Sequence, residues 1–396
     1  LEEYSKMASG DRKKVYLYSG VRTPIGSFRG SLSSATTLEL GTTAAIEAIN
    51  RSGLNGSDIN EVIVGSVLTA GLGQNIGRQI SIASGVPKTV PAYTVNKVCS
   101  SSMKALQLGF NSIILGDSRN GLIVGAESMS QVPFYLSRGE VPYGGTNLTD
   151  GIQKDGLEDA MLHTAMGVCA EKSAKDYGIS RQESDAYAIN SYKKATEAWT
   201  SGKFKNEVVP MKLKGRRGVE VVVEEDEEYK KLVESKVSSL SAVFLKDGTG
   251  TITAANASSL SDGAVAAVIS SDLSTPPLVE IVGFSEVSGE PVDFTVIPVD
   301  AAKKLLDRYG LTKDSISLWE VNEAFSVTVL AFIKALNIDP TKVNVKGGAV
   351  ALGHPLGMSG LRVIVSLAHS LRKDELGIAA ICNGGGEAVA VLLRGC

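Results

Sequence analysis

The feature that most constrains the fold is a long-period repeat. "GLNGSDINEVIV", from Gly53, and "GLTKDSISLWEV", from Gly310, both read Gly-Leu, three residues, Asp or Ser, Ile, then an apolar run with Val at the same last position. The offset is 257 residues, and it also carries Ser102 onto Ser359, each opening an apolar helical stretch. After those stretches come "NGLIVGAES" and "LGIAAICNG", again strand and glycine. Three matches in one order argue for two copies of one supersecondary unit. Short apolar runs (14–20, 61–67, 121–127, 318–324, 377–386) alternate with helix-like stretches (36–50, 103–115, 180–201, 359–372). Strands apolar on both faces between helices predict a layered α/β fold, with the loops of both copies meeting at one end of the sheets.

Residues 134–250 break the rhythm. "RGEVPYGGTNLTDGIQKDG" is rich in turn residues, and "KGRRGVEVVVEEDEEYKKLVESK" is a charge run that by itself reads as a solvated face. The block reads as an insertion over the core. The boundaries follow: 13–133 for the first half, completed by about 251–275, then 134–250 for the insertion and 276–396 for the second half. A net charge of -3 gives no basic field for nucleic acid or an anionic membrane, and no apolar run approaches a membrane span. Four cysteines without a CxxC make neither a disulfide framework nor a zinc site, and they fit a reducing compartment. The start, "LEEYSKMASGDRKK", has neither an apolar signal core nor an Arg/Ser-rich amphipathic pattern.

Few residues are left to carry chemistry. In "NKVCSSSMKAL", Cys99 precedes a helical run, where a helix N-terminus would lower a thiol pKa and make a nucleophile; the alternative is a small buried cysteine. Cys382, in "ICNGGGEAVAV", follows a strand and precedes glycines whose N–H groups can approach a ligand. His354, in "GGAVALGHPLGMSG", falls at the same end of the second copy as Cys99 does in the first, and a thiol with a nearby imidazole is the arrangement for nucleophilic catalysis. Asn322, in "WEVNEAFS", is either an oxyanion donor or a helix cap. "GLGQNIGRQ" misses the dinucleotide fingerprint by one residue.

"VRTPIGSFRG", "GQNIGRQ", "NKVCSSSMKA", "ESMSQVP", "DAYAINSY", "TAANASSLSDGA", "WEVNEAFS", "GGAVALGHPLGMSG" and "CNGGG", in that order, resemble the thiolases, with the match closest to the biosynthetic, acetoacetyl-CoA type found in mitochondria. The resemblance implies a thiolase fold: two similar α/β/α halves on five-stranded mixed sheets, with an inserted loop domain for CoA binding and tetramer contacts. It implies reversible condensation of two acetyl-CoA to acetoacetyl-CoA and CoA. A 3-ketoacyl-CoA thiolase of broader chain length is the alternative. Cys99 would be acetylated, His354 would activate it, and Cys382 would move the α-proton of the second acetyl-CoA. Asn322 would orient a water that, with His354, holds that substrate's thioester oxygen, while the N–H groups of Cys99 and Gly384 hold the acetyl oxygen. CoA would lie against Tyr192, Lys231, Leu232, Val233, Lys236 and Ser258, which moves the charge run from solvent toward the nucleotide phosphates. No covalent cofactor is implied. A potassium ion would take Tyr192 and the carbonyls of Ala254, Ala255, Ala257 and Val350. A homotetramer is implied through "VPFYLSRGEVPYGG", and the mitochondrial matrix is the expected place, with a transit peptide absent from this chain, or else the cytoplasm.

The chain departs from the family pattern at three positions: Ser102 stands where glycine is usual, Ala165 stands before Met166-Gly167 where histidine is usual, and Glu387 stands where a fourth glycine is common.

Overall fold

In the computed structural model the described residues are 13–139, 142–214 and 218–396. Residues 1–12 of the initial stretch read for targeting, Glu140 and Val141 of the loop expected to make tetramer contacts, and 215–217 of the charge run lie outside them. The first unit runs β1 (Val15–Arg22), α1 (Thr37–Ser52), β2 (Glu61–Gly65), α2 (Ile76–Ala83), β3 (Ala92–Val95), α3 (Ser101–Leu115) and β4 (Asn120–Ser128). The insertion carries α4 (Met166–Asp176) and α5 (Arg181–Thr200), after which β5 (Ser261–Ser270) returns to the first unit. The second unit is β6 (Val279–Ser288), α6 (Ile297–Tyr309), β7 (Leu318–Val321), α7 (Ser326–Leu336), α8 (Leu356–Ala368), β8 (Leu376–Asn383) and β9 (Glu387–Gly395).

The ladder order is β7-β8-β9-β6-β1-β5-β4-β2-β3. β2 is parallel to β3 and β4, β5 is antiparallel to β4 and β1, and the second unit repeats this with β7, β8, β9 and β6. β1 and β6 pair from Val15↔Ile281 to Leu17↔Val279, which joins the halves. The first half has its five strands; the second has four and, at the fifth place, only a parallel bridge from Trp319 to Val343. Asn344 explains the loss. It has φ 47°, which turns the chain away, and its side chain takes over the edge of β7: Oδ1 accepts from Val321 N–H (2.8 Å) and Nδ2 donates to the Val321 carbonyl (2.9 Å).

The period of two along each strand sorts the core into layers. Ile63, Ile123, Val265, Ala379, Ile381 and Val391 face a central cluster with α3 and α8. Their neighbours Val62, Val64, Leu122 and Val124 face α1 and α2, while Trp319, Ile378, Ala380 and Leu392 face α6 and α7. Helices α3 and α8 are thus sandwiched between the two halves, and every residue of α8 is buried.

The described residues of the insertion pack into the two halves: Ala188, Tyr192, Ala195, Ala198 and Phe204 join the central cluster, and Cys169, Ala170 and Ala174 join a further one with Phe325 and Cys382. A buried polar network pins it. Arg22 donates to Glu207 (2.6 Å) and to both oxygens of Asp226 (2.6 and 2.8 Å), and Lys346 donates to Glu207 (2.8 Å). Asp226 lies in the charge run read as solvated, yet it is fully buried, because the Arg22 guanidinium offers it two donors.

Candidate active site

The chain reaches the first thiol through a strained turn. Val98, between β3 and α3, has φ 47°. A β-branched residue in the left-handed region costs about 1–3 kcal/mol and persists only where its surroundings hold it. Asn96 Oδ1 accepts from Val98 N–H (3.0 Å), and Ser101 Oγ donates to the Val98 carbonyl (2.6 Å) while accepting from Lys97 N–H (2.9 Å). Ser100 Oγ donates to Asn383 Oδ1 (2.8 Å), beside the glycine loop. Ser102 Oγ donates to the Met358 carbonyl (3.0 Å) and accepts from Leu361 N–H (2.9 Å), bolting α3 to α8. Gly125 leaves room for this serine, since a Cβ there would lie 2.6 Å from Ser102 Cβ.

Cys99 follows that turn and is buried. Burial pushes its thiol up to about 12, against the N–H groups of Gly384 and of Cys99 itself, which pull it down; the Glu127 charge adds to the rise. Burial thus opposes the thiolate expected at the helix mouth and outweighs the two N–H groups in the free protein. The two N–H groups that converge on Sγ are nevertheless the pair expected to hold an acyl oxygen.

Cys382, near the end of β8, is also buried, and its thiol is raised by burial and then by charge on Cys99, so the two sulfurs are neighbours. Of the three glycines that follow Asn383, Gly385 (φ 90°) and Gly386 (φ 78°) need the left-handed region. Gly384 does not, and its contribution is its N–H. Glu387 closes the loop by accepting from Lys97 Nζ (2.6 Å) and Ser288 Oγ (2.9 Å), which ties it to the residue two before the thiol.

His354 precedes α8. Its Nδ1 is 2.6 Å from Ser359 Oγ, and Ser359 Oγ lies 2.9 Å from the Pro355 carbonyl. With the Ser359 proton on that carbonyl, Nδ1–H is the donor and Nε2 the bare base. Nε2 is buried and, among the described residues, has no partner. Burial, then the Arg362 charge, push the imidazole down to about 3, so it is neutral at pH 7. Asn322 is fully buried, with Oδ1 accepting from Arg362 Nη2 (3.1 Å) and Nδ2 without a partner among the described residues. It does not cap α7, whose N-cap is Phe325. Its neighbour Glu323 is saturated by Tyr187, Ser191, Asn344 and the Val350 N–H.

A cavity of about 500 Å³ opens beside His354, lined among others by Ser258, Ala165, Met166, Phe325 and Leu356. Of the expected CoA residues, Ser258 lines it; Tyr192, Lys231, Leu232, Val233 and Lys236 do not. Tyr192 is buried on α5, its hydroxyl raised by burial and by the charges of Glu228 and Glu323. Lys231 pairs with Glu227 (3.1 Å), and Val233 and Lys236 are exposed. Val350 shares the central cluster with Tyr192, and Ala254, Ala255 and Ala257 follow Thr253 in one turn. Sequence reasoning passes over Glu127, Glu320 and Arg362, which surround the site. Their one signal is charge inside otherwise apolar strand and helix runs.

A duplicated α/β fold with two buried thiols, a buried imidazole and backbone N–H donors at the first thiol is one that suits an acyltransferase. The model of the N-terminal domain of thiolases matches residues 15–272, and that of the C-terminal domain matches 275–395. The mitochondrial acetyl-CoA acetyltransferase of Rattus norvegicus is 50% identical over 96% of this chain and 91% of its own length. That of Homo sapiens is 48% identical over 99% and 93%. The crystal structure of Acat5 thiolase from Ascaris suum in complex with coenzyme A superposes with a TM-score of 0.93 at 54% identity, covering 97% of this chain and 100% of the other. The chain belongs to the thiolase family.

Proposed function

We propose that this thiolase is an acetyl-CoA acetyltransferase, condensing two acetyl-CoA to acetoacetyl-CoA and CoA and running the reverse thiolysis. The observation that carries the reading is that the chain is about half identical to enzymes of that name, and two buried thiols and a buried imidazole nitrogen without a partner among the described residues support it. Those names favour it over the broader 3-ketoacyl-CoA alternative.

Nε2 of His354 takes the Cys99 proton as Sγ attacks the acetyl carbonyl, and the N–H groups of Cys99 and Gly384 hold the oxygen. CoA leaves with a proton from Cys382, which becomes a thiolate, while the Cys99 proton stays on Nε2. The Cys382 thiolate then removes an α-proton from the second acetyl-CoA, and the carbanion attacks the acetyl carbon as its bond to Cys99 Sγ breaks and Sγ takes its proton back from His354. A thioester α-proton is only weakly acidic, so the developing enolate needs preorganised donors. Asn322 Nδ2–H supplies one through a water. His354 supplies the other through the Nε2–H that it holds until Cys99 leaves, with Nδ1–H kept on Ser359 Oγ (2.6 Å).

CoA would be held by Ser258 at the cavity and by Tyr192, Lys231, Leu232, Val233 and Lys236 above it. Potassium would take Tyr192 and the carbonyls of Ala254, Ala255, Ala257 and Val350. Among the described residues none of those four carbonyls accepts a hydrogen bond, which fits a cation site. Bound there, the ion would order the turn that carries Ser258. Phe134, Leu136 and Tyr143 expose apolar surface on the loop proposed to build a homotetramer. The mitochondrial matrix is the proposed compartment, from the names of the relatives; no helix among the described residues is long and apolar enough to cross a membrane. The test is thiolysis of acetoacetyl-CoA by CoA in potassium and in sodium buffer at matched ionic strength. Acetyl-CoA formation, faster in potassium, supports both readings; no turnover overturns the activity, and equal rates overturn the ion.

A further inference from the structure

The amide of Asn322 can present a donor or an acceptor to the reacting centre, and its partners decide which. Arg362, on α8, makes that choice. Its Nη2 donates to Asn322 Oδ1 (3.1 Å) while its Nη1 donates to Glu320 Oε1 (3.1 Å). A guanidinium carries donors only, so the amide oxygen must face it and Nδ2 must point away. Nδ2 is the atom left buried and unpartnered, as is Nε2 of His354.

The repeat supplies an internal control. At the positions 257 residues before Glu320 and Arg362 stand Ile63 and Ala105. Both are fully buried in the central apolar cluster. One copy of the unit therefore folds with an apolar pair where the other carries a buried ion pair. Buried ion pairs are weak evidence for stability, and replacing both partners by apolar residues is often neutral. Arg362 Nε is itself buried without a partner among the described residues, which adds to its cost. The unit thus has an apolar alternative to this ion pair, and besides Glu320 the side-chain hydrogen bond of Arg362 among the described residues is to Asn322.

We propose that Arg362 is a positioning residue, held by Glu320, that locks the Asn322 carboxamide with Nδ2–H toward the reacting centre. This rests on the role proposed above for Asn322. The Arg362 charge acts in the same direction on the other partner, helping to keep His354 an uncharged base.

The test is steady-state thiolysis of acetoacetyl-CoA with Cys99 acetylation as a separate readout. Arg362→Lys keeps the cation but loses the planar fork that reaches both partners. The double change Glu320→Leu with Arg362→Met restores the apolar type of the first copy. Both are expected to melt near the wild type, to accept an acetyl group on Cys99 and to keep KM for CoA, while kcat falls by about tenfold or more. In an Asn322→Ala background Arg362→Lys should change kcat by less than about twofold, since nothing remains to be positioned. An equal fall in both backgrounds would mark a merely structural role and overturn the proposal. Wild-type kcat in Arg362→Lys, with Asn322→Ala impaired, would overturn the role of Arg362 alone. Wild-type kcat in Asn322→Ala would overturn the Asn322 assignment and this inference with it. If neither Arg362 variant folds, Arg362 is a structural requirement, and the proposal fails.

Discussion

Ser359→Ala isolates the group that sets the tautomer of His354. The serine is 1% exposed, and its oxygen touches both Nδ1 (2.6 Å) and the Pro355 carbonyl (2.9 Å). Alanine removes the acceptor of a buried ring N–H, and so little space is exposed that water cannot replace it. An unsatisfied buried donor costs about 1–3 kcal/mol. If the imidazole escapes that cost by turning over or exchanging tautomers, Nε2 is no longer presented as the base. The same energy then appears in the barrier, and at 1.36 kcal/mol per tenfold it becomes a loss of about 5- to 150-fold in kcat/KM. KM for CoA should be unchanged, because Ser359 does not line the cavity. Thiolysis kinetics with a thermal melt as control reads all three quantities. Wild-type kcat/KM at an unchanged melting temperature would refute the claim that Ser359 holds the base.

Cys382→Ser should still accept an acetyl group on Cys99 but fail to condense acetyl-CoA; condensation near the wild-type rate would remove Cys382 as the second acid/base. With the Cys99 thiol pushed up to about 12 and His354 down to about 3, both are neutral at pH 7. Alkylation of Cys99 in the free enzyme should therefore be slower than that of free cysteine at neutral pH and still be rising above pH 9, and a plateau below pH 8 would contradict burial as the dominant cause. Ala165 lines the cavity beside Met166, so Ala165→His fills space that an extra substrate methyl can use, worth about 0.8 kcal/mol per buried methylene. It should lower kcat/KM for 2-methylacetoacetyl-CoA relative to acetoacetyl-CoA, and an unchanged ratio would show that Ala165 does not shape the acyl pocket.

The elements were legible where pattern alone decides them. The helix read over 180–201 is Arg181–Thr200, and the repeat by itself points to β7 and α8. The helix read over 359–372 begins earlier, at Leu356, because Pro355 sits at its N-cap and Gly357 N–H is taken by Glu127 (2.9 Å), a residue of another strand. The loss of the fifth strand expected in the second sheet was not legible, since a single asparagine side chain substitutes for its ladder. Most of the described charge run is exposed, as its composition implies, but Asp226 is drawn inside by Arg22, about 200 residues away in the chain. At the site, residue type and position were enough to single out Cys99, His354, Cys382 and Asn322. What holds them was hidden. Ser102 looked like a departure from pattern and turns out to bind the facing helix, while the thiol pKa depends on burial that no local pattern reports.

The central claim is that acyl transfer passes through Cys99. Intact-mass measurement after mixing the protein with acetyl-CoA alone tests it directly. The wild type should carry one acetyl group, mapped to Cys99 by peptide analysis and removed by added CoA, and Cys99→Ala should carry none. Stoichiometric, CoA-reversible acetylation of Cys99→Ala, or a wild-type protein that turns over without ever carrying the group, would contradict it.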